Sequence, residues 1–166
     1  MILITKIKNS KTVNKNLLEL INKIKNPFLK DKCNLSNTDW DLPKDFKREY
    51  LDYFIEIIKP YMNKIAEKLY SKNWIIHNFW FQQYLNSDNH PWHTHEASHF
   101  TNVYFVELHD KICGTEIYKH KKLNLKPGYL LTFPAYLYHR SPPINLKKRK
   151  TIISFNSSFN NFKKND

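Results

Sequence analysis

The apolar residues of this chain change their spacing once, near Asn73, and that change restricts the fold more than any other feature. Before it, Phe46, Tyr50, Phe54, Ile57, Tyr61, Ile65 and Leu69 recur in steps of three and four, the signature of one helix face. Asp45 stands where an N-cap is wanted, and Pro60 predicts a kink or a division into two helices. A shorter amphipathic run, Leu17, Leu18, Leu20, Ile21 and Ile24, ends before Pro27. The polar segment from Asn34 to Pro43 reads as a loop with Trp40 as its anchor.

From Trp74 onward the sequence breaks into short runs rich in Val, Ile, Tyr, Phe and Trp, bounded by polar or Pro/Gly turns. The runs predict strands over Trp74 to Leu85, Thr101 to Leu108, Thr115 to Tyr118, Tyr129 to Phe133 and Lys150 to Phe159, with a further short one over Leu123 to Leu125. Short strands with no helices between them imply an antiparallel sandwich or barrel, and a jelly roll is the commonest way to close such a set. The fold class is therefore mainly β with N-terminal helices on a double-stranded β-helix core. With 166 residues, one core is what the chain can bury, so 1–166 is read as a single domain. Residues 1–73 form its helical N-terminal region, packed on the sheet, and 74–160 its jelly-roll core.

Composition narrows the partners. Aromatics at 15% exclude a disordered chain. No apolar window is long enough to span a membrane, and Met1-Ile-Leu-Ile is too short for a signal-peptide core, so a cytoplasmic protein without a membrane partner is expected. Cys33 and Cys113 have no metal-ligand spacing and are expected to be reduced. The net charge of +12 raises nucleic acid as a partner. Only Arg48, Arg140 and Arg149 are arginine, however, while Asn, Ile, Phe and Tyr abound and glycine numbers 2, the residue set that an AT-rich genome favours. No specific nucleic-acid partner is expected.

Eight histidines are present, with His90, His93, His95 and His99 within ten residues. On a strand, residues two apart share a face, so the imidazoles of His93 and His95 can reach one ion while Thr94 and Glu96 face away. His139 follows an apolar strand and the Phe133-Pro turn, and an antiparallel neighbour can bring it beside the pair. No other histidine is expected to matter.

The stretches His93 to Val106, Gly114 to Tyr118, Pro127 to His139, Arg149-Lys-Thr151 and Ser154-Phe-Asn156 fall in an order that resembles the Fe(II)- and 2-oxoglutarate-dependent oxygenase superfamily. The likeness is to its small phage and marine-bacterial members in particular, and it covers residues 78 to 158. It implies that Fe(II) is held by His93, His95 and His139, with a histidine where the family's H-x-D/E motif has a carboxylate. It implies that Arg149 pairs with the far carboxylate of the co-substrate 2-oxoglutarate, with Lys150 as the alternative. Thr151 adds a hydroxyl, and Gln82 and Tyr84 add hydrogen-bonding groups on the preceding strand. O2 is the oxidant, and a C–H bond of a peptide or small polar substrate is hydroxylated, proline by analogy with the superfamily's prolyl hydroxylases. The setting is the cytoplasm of a bacterium or a phage-infected host cell. The mouth is expected to be rimmed by the loop from Asn86 to Trp92, by the region after His95, by Tyr136 and by Tyr138. Rival readings are a cupin-like three-histidine dioxygenase that needs no 2-oxoglutarate, and a non-catalytic jelly roll that binds metal or nucleic acid.

Overall fold

A computed structural model describes residues 1–27, 35–143 and 148–162; Cys33 and part of the predicted loop from Asn34 lie outside them. In chain order the elements are β1 (Leu3–Lys6), α1 (Ser10–Ile21), β2 (Asn37–Thr38), α2 (Glu49–Lys68), β3 (Ser71–Tyr84), β4 (His90–His93), β5 (Phe100–Glu107), β6 (Glu116–Ile117), β7 (Tyr129–Pro134), β8 (His139–Ser141) and β9 (Lys150–Phe162). The strands make a six-stranded sheet of order β1-β7-β5-β9-β3-β2 and a three-stranded sheet of order β4-β8-β6, all pairs antiparallel. This is the expected jelly roll.

Alternation along the strands gives the large sheet two apolar faces. One packs Phe81, Tyr104, Val106, Leu130, Ile153, Phe155 and Phe159 beneath the helices, against Leu17, Ile21, Tyr50, Phe54, Ile58 and Met62. The other turns Tyr84, Val103, Phe105, Leu131, Phe133 and Ile152 toward the small sheet, where they meet Leu108, Cys113, Ile117 and Leu125. Cys113 is a buried free thiol. No helix among the described residues is long and apolar enough to cross a membrane.

Several boundaries differ from the sequence reading. The N-terminal region supplies two strands as well as helices. β1 runs on the edge beside β7, its alternate residues exposed, and is too short to carry a pattern. The segment Leu123 to Leu125 is not a strand, and the run from Thr115 shortens to Glu116–Ile117. Helix α2 begins at Glu49, not beside Asp45, and has no side-chain cap. It continues through Pro60 undivided. Pro60 and Glu56 are both exposed, so water can serve the carbonyl that the missing N–H leaves free.

The loop before α2 is anchored by Asp39 rather than by Trp40, which is 55% exposed. The Asp39 carboxylate is buried; it accepts from the Phe81 amide at 2.8 Å, the Tyr50 hydroxyl at 2.7 Å and Arg48 Nε at 2.9 Å. Burial nonetheless pushes its pKa above the usual carboxylate range, against those hydrogen bonds and the Arg48 charge. Removing the carboxylate takes the charge partner and the Nε acceptor from a largely buried Arg48, which keeps its four backbone-carbonyl acceptors, and leaves the Tyr50 phenol and the Phe81 amide unpaired. The Asp39→Ala variant is therefore expected to lose about 3–5 kcal/mol of stability, a fall in Tm of about 10 °C by calorimetry. An unchanged Tm would show that the loop is held by other contacts.

Candidate metal centre

The pairing of β4 with β8 sets His93 opposite His139. His95 lies just beyond the end of β4, not on the strand as the spacing predicted, and its backbone N–H donates to the Ala135 carbonyl at 3.0 Å. That bond fastens it to the chain leaving β7, the same connection that leads into His139. The ring centroids stand 4.2 Å (His93–His139), 5.0 Å (His93–His95) and 5.2 Å (His95–His139) apart. One ligand nitrogen from each lies within 4.8 Å of the others.

Local hydrogen bonds choose which nitrogen is available. Nδ1 of His93 donates to the Pro91 carbonyl and Nδ1 of His139 to that of Leu137, both at 2.8 Å, which leaves each Nε2 lone pair free. His95 Nδ1 meets the Asn156 side-chain amide at 3.3 Å, and the other end of that amide meets the Thr101 hydroxyl at 3.1 Å. A hydroxyl accepts as readily as it donates, so the amide can turn to offer its oxygen to a His95 Nδ1–H. Burial lowers the pKa of His139 to about 3 and that of His95 to about 4, and lowers that of His93, so all three are neutral imidazoles at neutral pH. Neutral imidazoles are the form that binds a borderline divalent metal such as Fe(II).

The centre opens onto a cavity of about 550 Å³ between the sheets. Gln82 and Tyr84 line it, as do Trp80, Val103, Ile152, Ser154 and Ser141. Arg149 and Thr151 do not. Arg149 Nε donates to Glu107 at 2.8 Å, and the Thr151 hydroxyl donates to the same carboxylate. The reason is register: Tyr84 pairs with Lys150 and Gln83 with Thr151, and a strand alternates its faces. Lys150 therefore shares the face of Tyr84. It is buried, its Nζ donates to Ser141 Oγ at 2.6 Å, and it lies 4.7 Å from the centre of the Tyr84 ring. Tyr84 also hydrogen-bonds Ser141, and burial raises its pKa above the ordinary value. Burial depresses Lys150 to about 7.

His90 was not expected to matter, yet its ring stands 4.2 Å from that of His93 and it lines the cavity. His99 is directed elsewhere, its Nδ1 accepting from the Phe159 amide, and Glu96 is exposed. Trp80 was missed as a site residue; its ring lies 5.7 Å from His95 and 4.8 Å from Trp40. Its position on β3, two residues before Gln82, was the available signal.

No protein-family model matches the sequence, and no curated protein matches it. Solved structures do. The chain is similar to a viral collagen prolyl hydroxylase of Paramecium bursaria Chlorella virus-1 in complex with 2-oxoglutarate, with TM-score 0.66 and 14% identity over 94% of each chain. The fold is that of the prolyl hydroxylases. A Pseudomonas putida prolyl-4-hydroxylase gives TM-score 0.60 and 12% identity over 95% of this chain and 91% of that one. A Trichoplax adhaerens prolyl hydroxylase, in complex with a peptide of a hypoxia-inducible factor, gives 0.61 and 14% over 95% and 82%.

Proposed function

We propose that this chain is an Fe(II)- and 2-oxoglutarate-dependent oxygenase that hydroxylates a C–H bond of a polypeptide side chain, with proline as the leading candidate. The observation that carries this reading is the meeting, in one cavity, of three neutral histidines with Tyr84 and Ser141, the two residues that the buried Lys150 contacts. His93, His95 and His139 would hold the metal, and the donor set suits it. When bound, Fe(II) supplies, with O2 and 2-oxoglutarate, the oxidising chemistry that no side chain here can provide.

The chain's own residues bind, orient and exclude water. Lys150, Tyr84 and Ser141 would receive the far carboxylate of 2-oxoglutarate. Val103, Ile152 and Trp80 make the wall apolar, which strengthens that ion pair by keeping water from it. A substrate would enter past Trp40, Pro91 and Arg140. The peptide complex of the Trichoplax neighbour supports a polypeptide substrate, and reduced cytoplasm suits both Fe(II) and the free Cys113 thiol.

The deciding experiment follows release of labelled CO2 from 1-labelled 2-oxoglutarate by purified protein with Fe(II) and ascorbate. Metal-dependent release, absent from the His139→Ala variant, is expected. Metal binding without any release would favour the cupin-like or the metal-binding, non-catalytic reading, and neither binding nor release would favour a jelly roll that binds nucleic acid.

A further inference from the structure

The outer face of the small sheet carries a group of side chains that the metal centre does not use. His93, Ile117 and His139 point inward, so their strand neighbours Trp92, Glu116, Tyr118, Tyr138 and Arg140 point out. Trp92 and Tyr138 are stacked with centroids 5.7 Å apart, and Tyr118 meets both edge-on at 5.7 and 6.1 Å. Tyr118 and Tyr138 remain half exposed. The chain then turns through exposed Lys119, His120, Lys121 and Lys122, which with Trp92, Glu116 and Tyr118 enclose a groove of about 240 Å³.

The charges on this face are unbalanced. Arg140 is matched by Glu116 at 2.7 Å, whereas among the described residues Lys119, Lys121 and Lys122 have no carboxylate within ion-pair distance. A partner that settles here must bring negative charge. Two exposed tyrosines beside a half-buried Trp and Arg are the residue types that anchor protein interfaces. Stacking a nucleic-acid base requires an open ring face. Here the Trp92 ring is engaged by the Tyr138 phenol and by the Arg140 guanidinium at 4.7 Å, and Tyr118 has Lys119 over it at 5.5 Å. The group offers ring edges, hydroxyls and ammonium groups, which suit peptide carbonyls and carboxylates.

This surface also adjoins the cavity mouth. Arg140 lines the cavity while lying over Trp92, and Pro91, the neighbour of Trp92, lines it too. Resting on the oxygenase reading above, we propose that Trp92, Tyr118, Tyr138 and the Lys119–Lys122 turn form a docking surface for an acidic segment of the polypeptide substrate, flanking the residue that enters the cavity.

The test titrates purified protein, with and without Mn(II), against labelled peptides that share a Pro-Ala-Pro core and carry glutamate, serine or lysine flanks. Oligothymidylate is titrated in parallel. At physiological salt the glutamate-flanked peptide is expected to bind at least tenfold more tightly than the lysine-flanked one. The exposed-site variant Lys119→Glu/Lys121→Glu/Lys122→Glu is expected to abolish or invert that preference, and Lys121→Ser to weaken it. Equal binding of all peptides, or a preference untouched by either variant, would overturn the proposal. So would tighter binding of oligothymidylate than of the acidic peptide, lost in the same variant. Peptide preference is read without turnover, so a failure of 2-oxoglutarate decarboxylation in the wild type would overturn the oxygenase reading while leaving the docking result to stand or fall separately.

Discussion

The His139→Ala variant is expected to lose divalent-metal affinity by at least ~100-fold while retaining its fold. The imidazole is 4% exposed, but it makes one hydrogen bond, to the Leu137 carbonyl, and otherwise only ring contacts with Phe133 at 4.7 Å, His93 at 4.2 Å and His95 at 5.2 Å. Its loss removes one of the three nitrogens that converge, and two imidazoles alone hold Fe(II) or Mn(II) weakly. Calorimetric titration with Mn(II) reads the affinity, and a melt without metal reads the fold. A companion effect has a defined sign. His90, His95 and His139 have folded pKa values of about 4, 4 and 3, below the 6.5 of the unfolded chain. Between those values the unfolded chain binds more protons, so stability of the metal-free protein falls as pH drops from 6.5 toward 4. The variant should fall less steeply across the same window. Metal affinity retained in His139→Ala but lost in His90→Ala would show that another histidine completes the site.

The features that repeat along the chain were legible. Tyr50, Phe54 and Ile65 lie on the buried stripe of α2, and the change to strand spacing after Asn73 marks where the sheets take over, within a few residues of Ser71. The H-x-H pair and His139 were legible because their chemistry is local to a few positions. What the sequence concealed depends on pairing between distant residues. Asp39 reads as one more polar loop residue until Phe81, Tyr50 and Arg48 close around it. Leu3–Lys6 is a strand because β7 lies beside it, and so short an edge strand has no periodicity to read. His95 faces His139 by way of a hydrogen bond to Ala135 rather than by strand alternation. The choice between Arg149 and Lys150 was a matter of one residue, and counting forward from His139 across a connection cannot settle a register that the Tyr84 pairing sets.

That one-residue difference separates two variants sharply. Lys150→Met is expected to raise the dissociation constant of 2-oxoglutarate by at least ~30-fold, because a buried charge pair typically costs about 2–5 kcal/mol when one partner is removed. Arg149→Ala is expected to change it by less than about twofold, since Arg149 serves a partly exposed ion pair with Glu107 on the other face of β9, a contact worth at most about 1 kcal/mol. Proton linkage gives a second, independent readout. Burial holds Lys150 at about 7, so in the free protein above that pH the amine is largely neutral. A carboxylate arriving beside it favours the charged form, so binding at pH 8 should take up a proton. Titrations in two buffers of different ionisation enthalpy detect that proton, and Lys150→Met should abolish it. Affinity should accordingly weaken as pH rises above 7. The same burial disfavours the free protein: the unfolded lysine binds its proton up to about 10.5, so stability should rise with pH from about 7 toward that value. Lys150→Met, which removes the buried amine at similar volume, should then melt at a higher temperature than the wild type in the absence of 2-oxoglutarate and at a lower one in its saturating presence. Equal loss of affinity in Arg149→Ala, with none in Lys150→Met, would move the co-substrate anchor to the other face of the strand.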